Sequence, residues 1–131
     1  MTGATDITST LDSLADAIAS VSPDWASKIA RGACSSAGCS SVRGFESIRE
    51  GWLLHRGQSR LVPGASPDLA LLIGDWCYAA GLREITEHGS LDDVAVLADL
   101  IAAMSTQSEV AIEDLTPQWA DAQRALERKI T

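Results

Sequence analysis

Apolar residues recur at three- and four-residue intervals along most of the chain. Near its start, Ile7, Leu11, Leu14, Ile18 and Val21 follow this spacing, with polar residues between them. The spacing places them on one face of an amphipathic α-helix. Alternation of apolar and polar residues, which marks a half-buried strand, does not extend over any useful length. The pattern therefore predicts an all-α fold, a single helical bundle of about six helices.

One start signal for a helix occurs three times, at Ser22-Pro23, Ser66-Pro67 and Thr116-Pro117. A hydroxyl side chain suits the N-cap position, and proline, with its fixed φ and missing N–H, suits the first helical position. We therefore expect helices to begin at these three prolines, the first of them ending near Arg31. Between them, a helical stripe starts at Phe45 and ends near Gly57, whereas the Gly- and Ser-rich segment 32–44 stays unassigned.

The segment from Pro67 to about His88 is predicted to be a helix that is apolar almost all the way round. Ser90 and Asp93 have the spacing of a capping box and predict the start of the next helix. A chain of 131 residues can bury one core, and the 67–88 helix carries more apolar surface than one core needs. We interpret the surplus as an interface for another chain.

Charge and composition limit the classes of partner and the cellular location that the sequence predicts. The net charge is −8 and the pI is about 4.5, which argues against nucleic acid or an anionic membrane surface, since both are held mainly by Lys and Arg. No apolar run is long enough to span a membrane, and the first residues lack the pattern of a signal peptide. These features predict a cytoplasmic chain.

Three cysteines, Cys34, Cys39 and Cys77, form an odd set that favours reduced thiols over a disulfide framework. A zinc site would need these cysteines together with His55 or His88, and no recognised ligand spacing is present. We interpret Cys34 and Cys39 as ordinary small residues and expect no metal site.

From Arg56-Gly57 onward the chain resembles a known family. After this pair come sixteen residues, then Gly74-Asp75 within the helical stretch 71–105 and the region around MSTQSEVA. Their order and spacing are similar to the first half of trans-type polyprenyl diphosphate synthases. There, an aspartate-rich motif precedes an arginine-glycine turn and a helix carrying Gly-Asp. The resemblance covers residues 45–111, flanked by N-terminal helices and the Gly/Ser-rich segment in 1–44 and by a C-terminal helical segment in 112–131.

The family's first aspartate-rich motif has no full counterpart. At its place the chain has Glu46 and Glu50, four residues apart on one helix face, while Ser47 replaces a neighbouring aspartate. The second aspartate-rich motif is missing as well. In the family these aspartates hold Mg²⁺ against a diphosphate. Two isolated glutamates make a poor Mg²⁺ site, so we interpret them as part of a solvated helix face.

The resemblance implies the small, noncatalytic subunit of a heteromeric (hexaprenyl- or heptaprenyl-type) synthase. It would pair with a full-length catalytic subunit, which alone would bind Mg²⁺, and help set prenyl chain length. The resemblance makes Arg56 a weak candidate for a diphosphate contact, although a structural role suits it better. Trp76 and Tyr78 correspond to tunnel residues that limit chain length. The candidate interface residues lie on two helices: Leu72, Trp76, Ala79, Ala80, Arg83, Val94, Leu97 and Ile101.

Two alternatives stay open. A helical adaptor or regulatory module without prenyl chemistry needs only amphipathic helices and an acidic surface, and Trp76 would then be an ordinary core residue. Autonomous catalysis would have to combine His55 or His88 with Cys77 or a serine, but no sequence context supports such a set. We therefore expect no catalytic residues in this chain.

Overall fold

A computed structural model describes residues 3–30, 40 and 42–127, with side chains described from Thr10 onward. The described residues form six helices and no strand: α1 (Gly3–Ala19), α2 (Pro23–Ala26), α3 (Arg43–His55), α4 (Pro67–His88), α5 (Leu91–Ser105) and α6 (Ile112–Glu127). The predicted all-α bundle of six helices is confirmed. Among the described helices, none combines the length and the hydropathy that a membrane span requires. Cys34 and Cys39 lie outside the described residues.

Two of the three serine- or threonine-proline start signals are confirmed. The Ser22 side chain accepts a hydrogen bond from Trp25 N at 3.1 Å, and that of Ser66 accepts one from Leu69 N at 3.3 Å. The capping box is also present: Asp93 N donates to Ser90 Oγ at 3.2 Å, and Ser90 N donates to Asp93 Oδ2 at 3.1 Å. Short polar side chains that satisfy free N–H groups thus fix the starts of α2, α4 and α5.

Two predicted helix boundaries were wrong. α2 ends at Ala26 instead of near Arg31, and the chain then bends so that Ala30 N donates to Leu61 O at 2.7 Å. α6 begins at Ile112, which leaves Pro117 inside the helix. Pro117 has no N–H group, so α6 lacks one backbone hydrogen bond near its start. Because the helix begins before the proline, Leu115 lies in the core at 1% exposure. Burial of an apolar side chain outweighs the local proline signal.

α4 contributes to two apolar clusters, which explains its composition. Its first half packs Ala70, Ile73 and Cys77 against α1, α2 and the loop at 61–62. Its second half packs Ile85, with Tyr78 and Leu82, against α3, α5 and α6. The chain therefore has two clusters where the sequence suggested one core. Much of the apolar surplus of α4 is covered by the chain itself.

Glycines bring α3 and α4 into direct backbone contact. A Cβ added at Gly81 would lie 2.6 Å from Gly44 O, and one at Gly51 would lie 2.8 Å from Gly74 O. The two contacts are seven residues apart on each helix, so the antiparallel helices touch at two points one heptad apart. The glycines thus form the side of α3 that faces α4, and Glu46 and Glu50 lie on another side of the same helix.

Candidate functional site

Glu46 and Glu50 lie in the interior, both with 0% of their surface exposed. Their interpretation as a solvated helix face was therefore wrong. A carboxylate this deeply buried stays ionised only where opposite charges and hydrogen-bond donors surround it. The two glutamates meet Arg49 and Arg60, and together these four side chains define the ion cluster of the protein.

Glu50 organises the loop that follows the arginine-glycine turn. Its Oε1 accepts from Arg60 Nε at 2.8 Å. Its Oε2 accepts from Arg60 N at 2.9 Å, from Leu61 N at 3.1 Å and from the Ser59 hydroxyl. Ser59 Oγ in turn accepts from Val62 N at 2.9 Å. One carboxylate therefore fixes the backbone of the loop before Leu61 and Val62 enter the apolar cluster.

Glu46 links α3 to the end of α6. Its Oε2 accepts from Arg49 at 2.8 Å and from Ser40 N at 2.6 Å. Its Oε1 lies 2.9 Å from Arg60 Nη1 without hydrogen-bond geometry. The Arg49 guanidinium continues to Gln123 Oε1 at 2.9 Å on α6 and lies over the Phe45 ring at 4.8 Å. The cluster thus connects α3, the loop after it and α6.

The electrostatic balance differs between the two arginines. Burial alone would lower the pKa of Arg60, but Glu50 and Glu46 outweigh it and raise that pKa. For Arg49, burial is the largest effect and lowers the pKa, although Glu46 opposes it. Arg60 is therefore the cation most strongly stabilised by the two glutamates. Both carboxylates already have cationic partners inside the protein, and in the described residues no three His, Cys, Asp or Glu side chains are grouped to hold a metal ion.

Arg56 connects the arginine-glycine turn to the segment between α5 and α6. Its guanidinium donates to Gln107 O at 3.2 Å and to Val110 O, and it lies 5.6 Å from the centre of the Trp52 ring. Gly57, which follows, has a φ of +73°, a value that glycine adopts without strain. The pair thus ends α3 and holds a second connection in place.

The candidate interface residues on α4 lie along its outer side. Leu72 is 57% exposed, Ala79 and Arg83 are exposed, and Trp76 and Ala80 are half-buried. Trp76 meets Trp25 edge to face, with ring centres 6.4 Å apart. Leu71, 52% exposed, extends this apolar surface but was not among the predicted residues.

The candidate residues on α5 face inward. Leu97 is 0% exposed in the apolar cluster between α3, α5 and α6, so its assignment to a partner interface was wrong. Val94 and Ile101 are half-buried against the same cluster. The stripe on α5 is amphipathic because the helix packs against its own chain.

Tyr78 and His55 meet where the α3–α4 contact ends. Their rings are 5.3 Å apart, and His55 Nε2 lies 3.1 Å from Asp75 Oδ1. Gly74 leaves room for the imidazole, since a Cβ there would overlap the ring. Burial is the main cause that raises the pKa of Tyr78 to about 12, and Asp75 adds to it. The Gly-Asp pair of α4 therefore has a packing and pairing role.

Sequence reasoning missed Arg49 and Arg60 as members of the site. Arg49 could have been found, because it lies three residues after Glu46 on the same helix face. Arg60 lies beyond the helix end, and no local pattern relates it to Glu50. Comparison with known protein families, curated proteins and solved structures finds no match to this chain.

Proposed function

We propose that this chain is a small noncatalytic subunit of a heteromeric polyprenyl diphosphate synthase. The observation that carries the proposal is the burial of Glu46 and Glu50, which stand near the place of the resembled family's first aspartate-rich motif. Because Arg49 and Arg60 neutralise them internally, they are poorly suited to hold Mg²⁺ against a diphosphate. A catalytic partner would supply both aspartate-rich motifs and the Mg²⁺.

The outer side of α4 is the surface that we assign to the partner. It combines the exposed Leu71 and Leu72 with the small Ala79 and the cationic Arg83, and Trp76 lies at its edge. Leucine side chains exposed by more than half lose their apolar contact with water when another helix covers them. Ala79 allows a neighbouring helix to approach closely, and Trp76 offers the large aromatic surface typical of binding hot spots.

The proposal extends to product length. Bulky side chains near the bottom of a prenyl tunnel limit how far the product grows, and Trp76 and Tyr78 are the bulky side chains of α4. Replacement of Trp76 or Tyr78 by Ala should therefore lengthen the product of the complex. Unchanged product length in an intact complex would remove this role and leave the partner role standing.

Co-expression with a full-length synthase encoded nearby tests the proposal. We expect the two chains to co-elute, and prenyl transfer to require both. Ala79→Asp should weaken the complex, because it places a charge at the centre of the assigned surface. It should leave the fold intact, because position 79 is exposed and the new carboxylate would lie one turn from both Asp75 and Arg83.

Ala95→Asp is the matched control, since Ala95 is an exposed alanine on α5. It should leave the complex unchanged. Catalytic activity of the partner that never depends on this chain would contradict the subunit proposal and favour a helical adaptor. If Ala79→Asp and Ala95→Asp bind the partner equally well, the interface lies elsewhere.

A further inference from the structure

A second site lies between the C-terminal ends of α3 and α5 and the middle of α4. It is a pocket of about 290 Å³, and its walls include Trp52, His55, Arg56, Tyr78, Met104 and Ser105. Small-molecule sites are typically apolar clefts with few polar groups and volumes upward of roughly 300 Å³. At about 290 Å³ this pocket lies just below that range, which suits a ligand of one or two rings.

The lining of the pocket differs in charge from the chain as a whole. Although the net charge of the protein is −8, no acidic residue is among the described residues that line the pocket, and Arg56 brings a cation to it. The carboxylate of Asp75, 3.1 Å from His55 Nε2, is not part of the lining and is largely exposed, so solvent screens its charge. An anionic group therefore finds a favourable position beside Arg56, where a charge-assisted hydrogen bond can form.

The walls also favour an aromatic body. The Trp52, His55 and Tyr78 rings surround the space, and the thioether of Met104 is a polarisable contact for a ring. Trp52 is only 5% exposed and contributes a small part of this wall, so the half-buried Tyr78 and the exposed His55 offer the larger aromatic surfaces.

We infer that this pocket binds a small planar aromatic carboxylate, with the ring between Trp52 and Tyr78 and the carboxylate at Arg56. The inference does not require the proposed partner surface, and the two proposals share Tyr78, which lines the pocket and is a proposed product-length residue. The site uses the inner side of α4, whereas the proposed partner surface uses its outer side.

Calorimetric titration of the full chain with 2-naphthoate tests the inference, with neutral 2-naphthamide as the comparison ligand. We expect saturable binding of the acid and about tenfold weaker binding of the amide, because the amide cannot form the ion pair with Arg56. Among the indole N–H resonances, that of Trp52, assigned with Trp52→Phe, should shift on addition of the acid.

Two variants that replace an exposed serine by phenylalanine test whether the ligand binds in this pocket. Ser105 is exposed at the pocket and donates to Ala102 O at 2.8 Å in the last turn of α5. Ser20 is likewise exposed and donates to Ala17 O at 2.7 Å at the end of α1. Ser105→Phe should fill the pocket and abolish binding, whereas Ser20→Phe should bind as the unmodified chain does.

Three results would overturn the inference: equal affinity for acid and amide, undiminished binding by Ser105→Phe, or no saturable binding up to about 1 mM 2-naphthoate. None of them bears on co-elution with a synthase. Conversely, failure to bind a synthase leaves the titration result unaffected. The two proposals therefore fail separately.

Discussion

Glu50 is the residue whose neutralisation tests the ion cluster most directly. Glu50→Gln keeps the size of the side chain and one carbonyl oxygen, so hydrogen bonds from Ser59 and Leu61 remain possible. The variant removes the negative charge that faces Arg60 at 2.8 Å. Arg60 then keeps Glu46 as its remaining carboxylate at 2.9 Å, and Glu46 is shared with Arg49.

The expected cost follows from burial. Removing one partner of a buried ion pair typically costs about 3–5 kcal/mol, because the other charge is left without full compensation. We expect the lower end, about 3 kcal/mol, since Glu46 still faces Arg60. Against a typical stability of about 5–15 kcal/mol, this loss lowers Tm by roughly 10 °C.

Thermal and urea unfolding followed by circular dichroism measure this loss. Glu87→Gln is the control, because Glu87 is exposed on α4, and it should change the free energy of unfolding by no more than about 0.5 kcal/mol. The double variant Glu50→Met/Arg60→Met should destabilise by at least about 1 kcal/mol less than the sum of its single variants. A Tm for Glu50→Gln equal to that of the Glu87 control would refute the reasoning.

Three further outcomes follow from the packing of α4. Gly81→Ala should lower the free energy of unfolding, measured in urea, by about 1–2 kcal/mol, because its Cβ would lie 2.6 Å from Gly44 O. The loss should occur although alanine has the better helix propensity. Unchanged stability would contradict the close contact between the helices. Tyr78, the single tyrosine, should ionise near pH 12 when folded and near its ordinary pKa of 10.0 in denaturant, as followed by tyrosinate absorbance. Its contribution to stability is therefore complete below pH 10 and lost as the pH rises toward 12, and a folded-state transition near pH 10 would contradict its burial. Burial, with a contribution from Glu50, raises the pKa of the Cys77 thiol and so makes it less reactive. Peptide mapping after treatment with an alkylating reagent should therefore find Cys77 modified only in the unfolded chain. Rapid modification of Cys77 in the folded chain would contradict the prediction.

The helices were predictable where several local signals agree. α4 begins at Pro67 and ends at His88, as its serine cap, proline and apolar run predict. The start of α6 was not predictable from Pro117, because burial of Leu115 decides it and burial depends on other helices. In the same way, the end of α2 depends on a backbone bond between Ala30 and Leu61, which are far apart in sequence.

The site was predictable only in part, because charge pairing across the chain leaves no periodic trace. The spacing of Glu46 and Glu50 correctly places both carboxylates on one helix face. Whether that face meets water depends on the loop that carries Arg60 and on the contact between Arg49 and α6. The apolar surplus of α4 was likewise seen in the sequence, but its division between two clusters required the fold.

The two sides of the molecule make stability and partner binding separable. Glu50 acts inside, on the loop at 59–61, whereas Ala79 lies on the outer side of α4. At a temperature where Glu50→Gln is still folded, it should therefore bind a catalytic partner as tightly as the unmodified chain, while Ala79→Asp should keep its Tm and lose affinity. The pair of variants gives opposite results in the two assays. Loss of affinity by folded Glu50→Gln would mean that the ion cluster shapes the outer face of α4, and the separation argued from the structure would be wrong.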